Sequence, residues 1–376
     1  MNKANLKERY TKKQVISVLF SFIFWITFNI NYAQNNENSA FIEKLGNPKI
    51  DGGLKREGYS IWGSSVIKDS LGVYHMFTGC WSNKQKNSSW VTASTILHSI
   101  SDTPEGPFKI LGDAITPRGE GYWDGSSTFN PVIQKYKDTF IIFYTGAYFV
   151  DTGSFRDNNY QALSNKRIGI ATSKSLYGPW KRYEQPILLP RKDKWDAIIT
   201  SNPAPFIEED GSVLLVYKSW TRHATDYYAN KKPGEINQLL GVARADHYLG
   251  EYKRLSDNRI FKDVSIPFNS EDPFIWKQDG KYHMLAKIFE VGEQLIGEAG
   301  GGFYATSTDG IDWKINENGS AWSRAINWKN GTTTNFNRVE RPQLLFENGK
   351  PTHIYFACRS NEAGVESQAI CIPLKI

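Results

Sequence analysis

An all-β fold, a five-bladed β-propeller of four-stranded antiparallel blades, is what the sequence predicts, and three observations lead to it. A β unit of roughly seventy residues recurs through the chain. Each copy carries its own strand and hairpin signals. Aromatic residues make up 14% of the chain, while amphipathic helical periodicity is hard to find after the N-terminal leader, a balance that favours strands.

The repeat is the strongest of the three. A polar residue and usually Pro, an apolar strand, often an Asp-Gly or Asn-Gly turn, and a second aromatic-rich strand recur in order. The copies are GSSVIKDSLGVYHMFTG from Gly63, FNPVIQKYKDTFIIFYTG from Phe129, SNPAPFIEEDGSVLLVYKSW from Ser201, EDPFIWKQDGKYHMLAKI from Glu271 and ERPQLLFENGKPTHIYFAC from Glu340. Aligned on Ser65, Pro131, Pro203, Pro273 and Pro342, they lie 66, 72, 70 and 69 residues apart. Asp-Gly and Asn-Gly accept the positive φ of tight turns, so each copy reads as a hairpin. The second half of each unit recurs as well, in HSISDTPEGPFK from His98, GIATSKSLYGPWK from Gly169, GVARADHYLGEYK from Gly241 and YATSTDGIDWK from Tyr304. The chain ends at AICIPLKI, where the third strand of the fifth unit falls. Four strands per unit in up-and-down order make a propeller blade. A β-sandwich also has short, closely spaced strands, but it does not predict a near-constant fivefold period. Residues 291–302 (VGEQLIGEAGGG) read as a flexible loop.

Three segments follow from this reading: a signal peptide over 1–33, a lead-in over 34–57 and the propeller over 58–376. Lys3, Lys7, Arg9, Lys12 and Lys13 precede an apolar run over residues 15–28, and Ala33 follows as the last residue before cleavage. The run of 14 residues is short of the roughly twenty that cross a bilayer. The expectation is export to the periplasm or medium, with no membrane association once the leader is removed. Its removal lowers the formal charge from +6 to +2, which argues against a nucleic-acid surface. Cys80, Cys358 and Cys371 do not imply a disulfide framework, and buried free thiols suit their apolar strands. CxxC and HExxH are both missing, so no protein-ligated zinc is expected.

Ligands of a propeller sit where the innermost strands begin or end, so the head of each unit carries the chemistry. Just before the aligned column stand Ser64, Asn130, Asn202, Asp272 and Arg341, all polar at the head of an apolar strand. One residue earlier stand Gly63, Phe129, Ser201, Glu271 and Glu340. Glycoside hydrolysis needs two carboxyl groups across the scissile bond, an acid with a raised pKa and a base or nucleophile. Glu271 is the expected acid. Asp124 in YWDGSSTFNP and Asp196 in KWDAIITSNPAP are matched between units and are the expected partners. The same Trp-Asp pairs read equally well as a structural bracket between blades. Trp62, Asn130, Asn202, Asp272, Glu340 and Arg341 are expected to bind substrate. Arg341 suits bidentate contact with a uronate or sulfate, and Glu340–Arg341 suits an internal ion pair as well. His75, His283 and His353 recur at similar strand positions and are expected in the core, whereas His98, His223 and His247 carry no signature. No GxSxG motif is present, so a serine nucleophile is not expected.

These blade heads resemble the arabinanase/levansucrase/invertase-like five-bladed propellers, most closely glycoside hydrolase family 43, over roughly residues 58–376. The resemblance implies that Glu271, in SEDPFIWKQDGKYHML, is the general acid opening the fourth blade. It also implies an Asp before Pro as general base at the first blade, where this chain has Trp62-Gly63-Ser64-Ser65. The third-blade Asp that tunes the acid is Asn202 here. The base then comes from Asp196, Asp124 or Asp51, or the catalytic arrangement differs. No cofactor is expected beyond a structural calcium ion that the resemblance allows in the channel. The expected activity is removal of a terminal pentose- or galactose-type sugar from polysaccharide-derived oligosaccharides. A carbohydrate-binding propeller without turnover is the alternative, followed by a polysaccharide lyase, which needs a Tyr or His base.

Overall fold

The computed structural model describes residues 40–84, 89–230, 232, 235, 237–264, 269–289, 301–360 and 367–375. The leader over 1–33 and nearly all of the loop expected over 291–302 lie outside the described residues. Blade one comprises β1 (Tyr59–Lys68), β2 (Tyr74–Ser82), β3 (Thr95–Ser101) and β4 (Lys109–Ile115). Blade two follows with β5 (Ser127–Tyr136), β6 (Thr139–Ala147), β7 (Arg167–Ser173) and β8 (Lys181–Arg182). Blade three has β9 (Ser201–Ile207), β10 (Val213–Ser219), β11 (Leu239–Ala245) and β12 (Lys253–Arg254). Blade four has β13 (Ser270–Gln278), β14 (Lys281–Ile288), β15 (Gly302–Ser307) and β16 (Lys314–Trp322). A small hairpin, β17 (Ala325–Asn327) and β18 (Thr333–Asn335), leads to blade five: β19 (Arg338–Glu347), β20 (Lys350–Arg359) and β21 (Ser367–Pro373). The expected five-bladed antiparallel propeller is the fold.

Every first strand breaks register at its head. In blades one, two, four and five the pairing skips between Trp62 and Ser65, Phe129 and Val132, Glu271 and Phe274, and Glu340 and Gln343. Gly63, Asn130, Asn202, Asp272 and Arg341 all have φ between 50° and 70° at this point. Gly, Asn and Asp tolerate that left-handed conformation, and a bulge leaves one backbone group unpaired, so the Pro that follows in four blades costs no ladder bond. The bulges correct the sequence alignment by one residue in blade one: Gly63, not Ser64, matches Asn130. Ser64 instead turns its hydroxyl to Thr78 (2.9 Å).

The core lies in the seams between blades rather than at one centre. Ile61 and Val66 of blade one meet Leu345, Tyr355 and Cys371 of blade five, while Phe274, Trp276 and Leu285 of blade four meet Leu344, Ile354 and Phe356. Burying each such side chain contributes about 1.5–3 kcal/mol. The lead-in belongs to these seams. Phe41 packs between blades four and five against Trp276, and Leu54 and Leu45 form antiparallel bridges with Ala369 and Leu374. The outer edge that blade five lacks is thus covered by residues from the other end of the chain.

Among the described residues, three short α-helices depart from the purely β expectation: α1 (Ser89–Thr92), α2 (Phe155–Ser164) and α3 (Ala224–Ala229). Ser154 caps α2 by accepting the Asp157 N–H. Among the described residues, no helix is long and apolar enough to cross a membrane. All three cysteines are buried and free.

Candidate active site

The first strands start and the second strands end on one face of the propeller, which also carries α1, α2 and α3 in the β2–β3, β6–β7 and β10–β11 connections. Two rings of side chains meet at the channel mouth there.

The inner ring consists of the left-handed residues. Asn130 Nδ2 donates to Asn202 Oδ1 (3.3 Å), Asn202 Nδ2 donates to Asp272 Oδ1, and Arg341 Nη1 donates to the same Oδ1 (3.3 Å). Blade one supplies only Gly63, and the Arg341 side chain fills the space: a Cβ on Gly63 would stand 3.2 Å from Arg341 Nε. Arg341 is 1% exposed, so it closes the channel floor rather than opening onto solvent.

The outer ring follows from pairing register. The residues one step before the bulges face the ends of the second strands: Trp62 pairs with Gly79, Phe129 with Thr145, Ser201 with Lys218, Glu271 with Lys287 and Glu340 with Ala357. Each head also meets the second strand of the preceding blade. Glu271 bonds Lys218 of blade three as well as Lys287 of its own blade (3.3 Å), and Glu340 bonds Lys287 of blade four. Arg338 stands 3.5 Å from Glu340. A chain of alternating charge, Lys218–Glu271–Lys287–Glu340, therefore crosses two blade seams. The other arc of the ring is apolar, with Phe129 buried and Trp62 half-buried near Trp81 (6.5 Å between ring centroids). On the α2–α3 side, Tyr160 and Tyr228 stack at 5.6 Å.

The surroundings push two adjacent carboxyls in opposite directions. Burial alone would raise the pKa of Glu271, but Lys218 and then Lys287 outweigh it and hold the carboxylate well below its ordinary range. Asp272 is raised to about 6, by burial first and by the Glu271 charge second, against the opposing Arg341. Of these two carboxyls the one with the raised pKa is therefore Asp272, which the sequence reading expected to bind substrate, and the one held ionised is Glu271, which that reading expected as the acid.

Glu271, Asp272 and Glu340 each offer an oxygen within 4.8 Å of the others, a spacing that could hold a metal ion. Lys218 and Lys287 already ion-pair with the two glutamates and Arg341 with Asp272, so the arrangement does not fit a calcium ion.

Asp124 and Asp196 stand apart from this cluster. Both are fully buried. Asp124 takes bonds from Arg118 Nε (2.6 Å), Tyr144 Oη (2.7 Å) and Arg182 (3.4 Å). Asp196 takes the matching set from Arg191 Nε (2.9 Å), Tyr217 Oη (2.9 Å) and Arg254 Nε (2.5 Å). The preceding Trp123 and Trp195 stack on Tyr144 and Tyr217 and donate to backbone carbonyls of Glu184 and Asp257. None of these partners is shared with Glu271, and enclosed carboxylates tied to two arginines have no face for a water or a sugar. Asp51 is exposed in the turn beside Gly53, whose N–H bonds Glu105 (2.7 Å) in the β3–β4 connection on the opposite face. His75, expected in the core, is buried and pairs with His98 (2.9 Å).

Sequence reasoning missed Lys218, Lys287 and Arg338. The first two were visible at matching places in LLVYKSW and HMLAKI, but a lysine in an apolar strand declares its partner only once register is known.

No protein-family model matches the sequence, and no curated protein does either. The fold is similar to solved structures. One described as a glycoside hydrolase aligns with TM-score 0.64 at 15% identity, over 88% of this chain and 92% of its own. A family 117 glycoside hydrolase of the marine bacterium Zobellia galactanivorans aligns with TM-score 0.58 at 16% identity, over 88% and 89%. An endo-arabinase of Bacteroides thetaiotaomicron aligns with TM-score 0.52 at 16% identity, over 84% and 95%. At such identities the likeness establishes the five-bladed fold.

Proposed function

We propose that this chain is an exported glycoside hydrolase acting on polysaccharide-derived oligosaccharides, with its chemistry at the head of blade four. The observation that carries the proposal is the pair of neighbouring carboxyls at the channel mouth whose environments drive their pKa values apart, the arrangement by which acid and base roles are divided. Asp272 Oδ1 accepts from Asn202 and Arg341, leaving Oδ2 to hold a proton that it delivers to the glycosidic oxygen. Glu271, kept ionised by two lysines, faces the sugar carbon from which that oxygen departs. Oxygens within 4.8 Å are closer than the roughly 6.5–9.5 Å that admits a water between two carboxyls, which favours direct attack by Glu271 and retention of configuration. Water, deprotonated by Asp272, then releases the sugar. Trp62 on the apolar arc offers its ring face to the substrate. The fold likeness to glycoside hydrolases supports the reaction class, and pentose- or galactose-type terminal sugars are the first to test.

The test is turnover of residues 34–376 on pentosides, galactosides and plant or algal oligosaccharides, read as new reducing ends. Glu271→Gln and Asp272→Asn should each lower it by about 10²–10⁴-fold with unfolding curves intact. Unchanged turnover in both variants would sink the proposal. One observation favours a second reading, a glycan-binding propeller without turnover: Gly63 leaves the first blade without a carboxylate, and Arg341 fills its place. Saturable binding with no product release would select it.

A further inference from the structure

Lys166, the residue before β7, is used by nothing described so far. Its carbonyl is fixed by Thr200 N (3.2 Å) and Arg167 Nη1 (2.7 Å), and the residue is 2% exposed. Its nitrogen stands 4.3 Å from the Trp220 ring centroid and 5.5 Å from that of Trp90. Among the described residues no hydrogen-bond acceptor is paired with that nitrogen. Two more donors nearby lack partners among the described residues: Trp220 Nε1, on the indole beneath Lys166, and Ser201 Oγ, on the strand head paired with Lys218. Buried polar groups are nearly always satisfied, and each exception calls for an explanation.

We propose that Lys166, with Trp220 Nε1 and Ser201 Oγ, forms a receptor for an oxyanion substituent, a carboxylate or a sulfate ester, on the bound sugar. This rests on the reading of the mouth as a glycan site and names its substrate class. The charge balance agrees. Lys166, Lys218, Lys287, Arg338 and Arg341 face Glu271, Asp272 and Glu340, and those three carboxylates already have cationic partners. An incoming anion therefore meets a cationic surplus, and the only nitrogen without a counter-ion among these lysines is that of Lys166. Burial, and then the neighbouring Lys218, pushes the Lys166 pKa well down, while Glu271 and Asp272 oppose the shift. An arriving anion opposes that shift and favours the protonated amine. A neutral sugar offers no such compensation.

Calorimetry with D-galacturonate, D-galactose 6-sulfate and D-galactose tests this on residues 34–376. One of the two acidic sugars should bind about tenfold to a hundredfold more tightly than galactose, the range of one charge-assisted hydrogen bond. The better acidic probe identifies the substituent as carboxylate or sulfate ester. Runs at pH 8 in buffers of different ionisation enthalpy should show up to one proton taken up with the acidic sugar and none with galactose. Lys166→Met should abolish both the preference and the uptake, and Lys166→Arg should keep the preference without the uptake. Equal affinities for charged and neutral sugars, or a preference that survives Lys166→Met, would overturn the receptor while leaving the glycan site standing. Failure of every sugar to bind, with no turnover on any oligosaccharide, would overturn both. If Lys166→Met does not fold, the wild-type affinity ratio and proton uptake still decide.

Discussion

Replacing Lys287 by Met probes the charged chain at its centre. The ammonium lies between two carboxylates from neighbouring blades, and the side chains involved are 7%, 15% and 4% exposed for Lys287, Glu271 and Glu340. Burial disfavours the Lys287 charge, yet Glu340 and Glu271 raise its pKa, so it is fully charged at neutral pH. Methionine keeps the length and apolar stem of the side chain and removes only the charge. Breaking one partner of a buried pair costs about 3–5 kcal/mol, because the remaining charge is left uncompensated. In a chain of this size that corresponds to a fall in Tm of roughly 4–7 °C. The penalty should depend on pH in a definite direction. The variant relieves the repulsion by holding a proton on Glu340 or Glu271, which raises that folded-state pKa above the unfolded value of about 4.3. The folded state then binds more protons than the unfolded one just above that value, so the deficit grows as pH rises. Urea unfolding at pH 5 and pH 8 should show the smaller deficit at pH 5. Lys287→Met with Glu340→Gln should recover much of the loss and give a large coupling energy in the double-mutant cycle. Equal deficits at the two pH values, or no recovery in the double variant, would refute the account.

Asp196→Asn should destabilise the protein by about 3–5 kcal/mol, since it strips the charge between Arg191 and Arg254, while turnover per folded molecule stays near wild type. Lost turnover with intact stability would instead make Asp196 catalytic. His98 has its pKa pulled down to about 4 by burial and then by His75. The folded state therefore binds fewer protons than the unfolded chain between about pH 4 and 6.5, and stability should fall by up to about 3 kcal/mol as pH drops through that window. His98→Gln should flatten this part of the stability profile, and a profile that keeps its slope would place the titration elsewhere.

The blades were legible in the sequence because each hairpin is local: strand, turn and strand lie within twenty residues, and the turns advertise positive φ. Blade one slipped by one position because Gly63-Ser64-Ser65 lacks the Pro that marks the bulge in the other four. The matched Trp-Asp pairs were visible as a repeat, but choosing bracket over catalysis needed Tyr144, Arg182, Tyr217 and Arg254, which come from strands distant in the chain. The place of Glu271 at the head of blade four was legible, while the lowering of its pKa was not. The two lysines that set it belong to second strands, and which residues meet across a seam is a matter of register between blades. Helix α2 left little trace, since only a few of its residues, Ala162 and Leu163 among them, are apolar and buried.

The bridge that ties Leu54 to Ala369, 315 residues along the chain, closes the ring between its two ends. The ring is complete only when the last strand pairs with the lead-in. Contacts of such long sequence separation are slow to form, because so much chain must be closed before they reward it. Glu340 arrives with that same blade. Without blade five, Lys287 and Glu271 would stand at an open edge, where water screens their charges. Ring closure and the separation of the two carboxyls are therefore linked, since both depend on keeping water from the head of blade four.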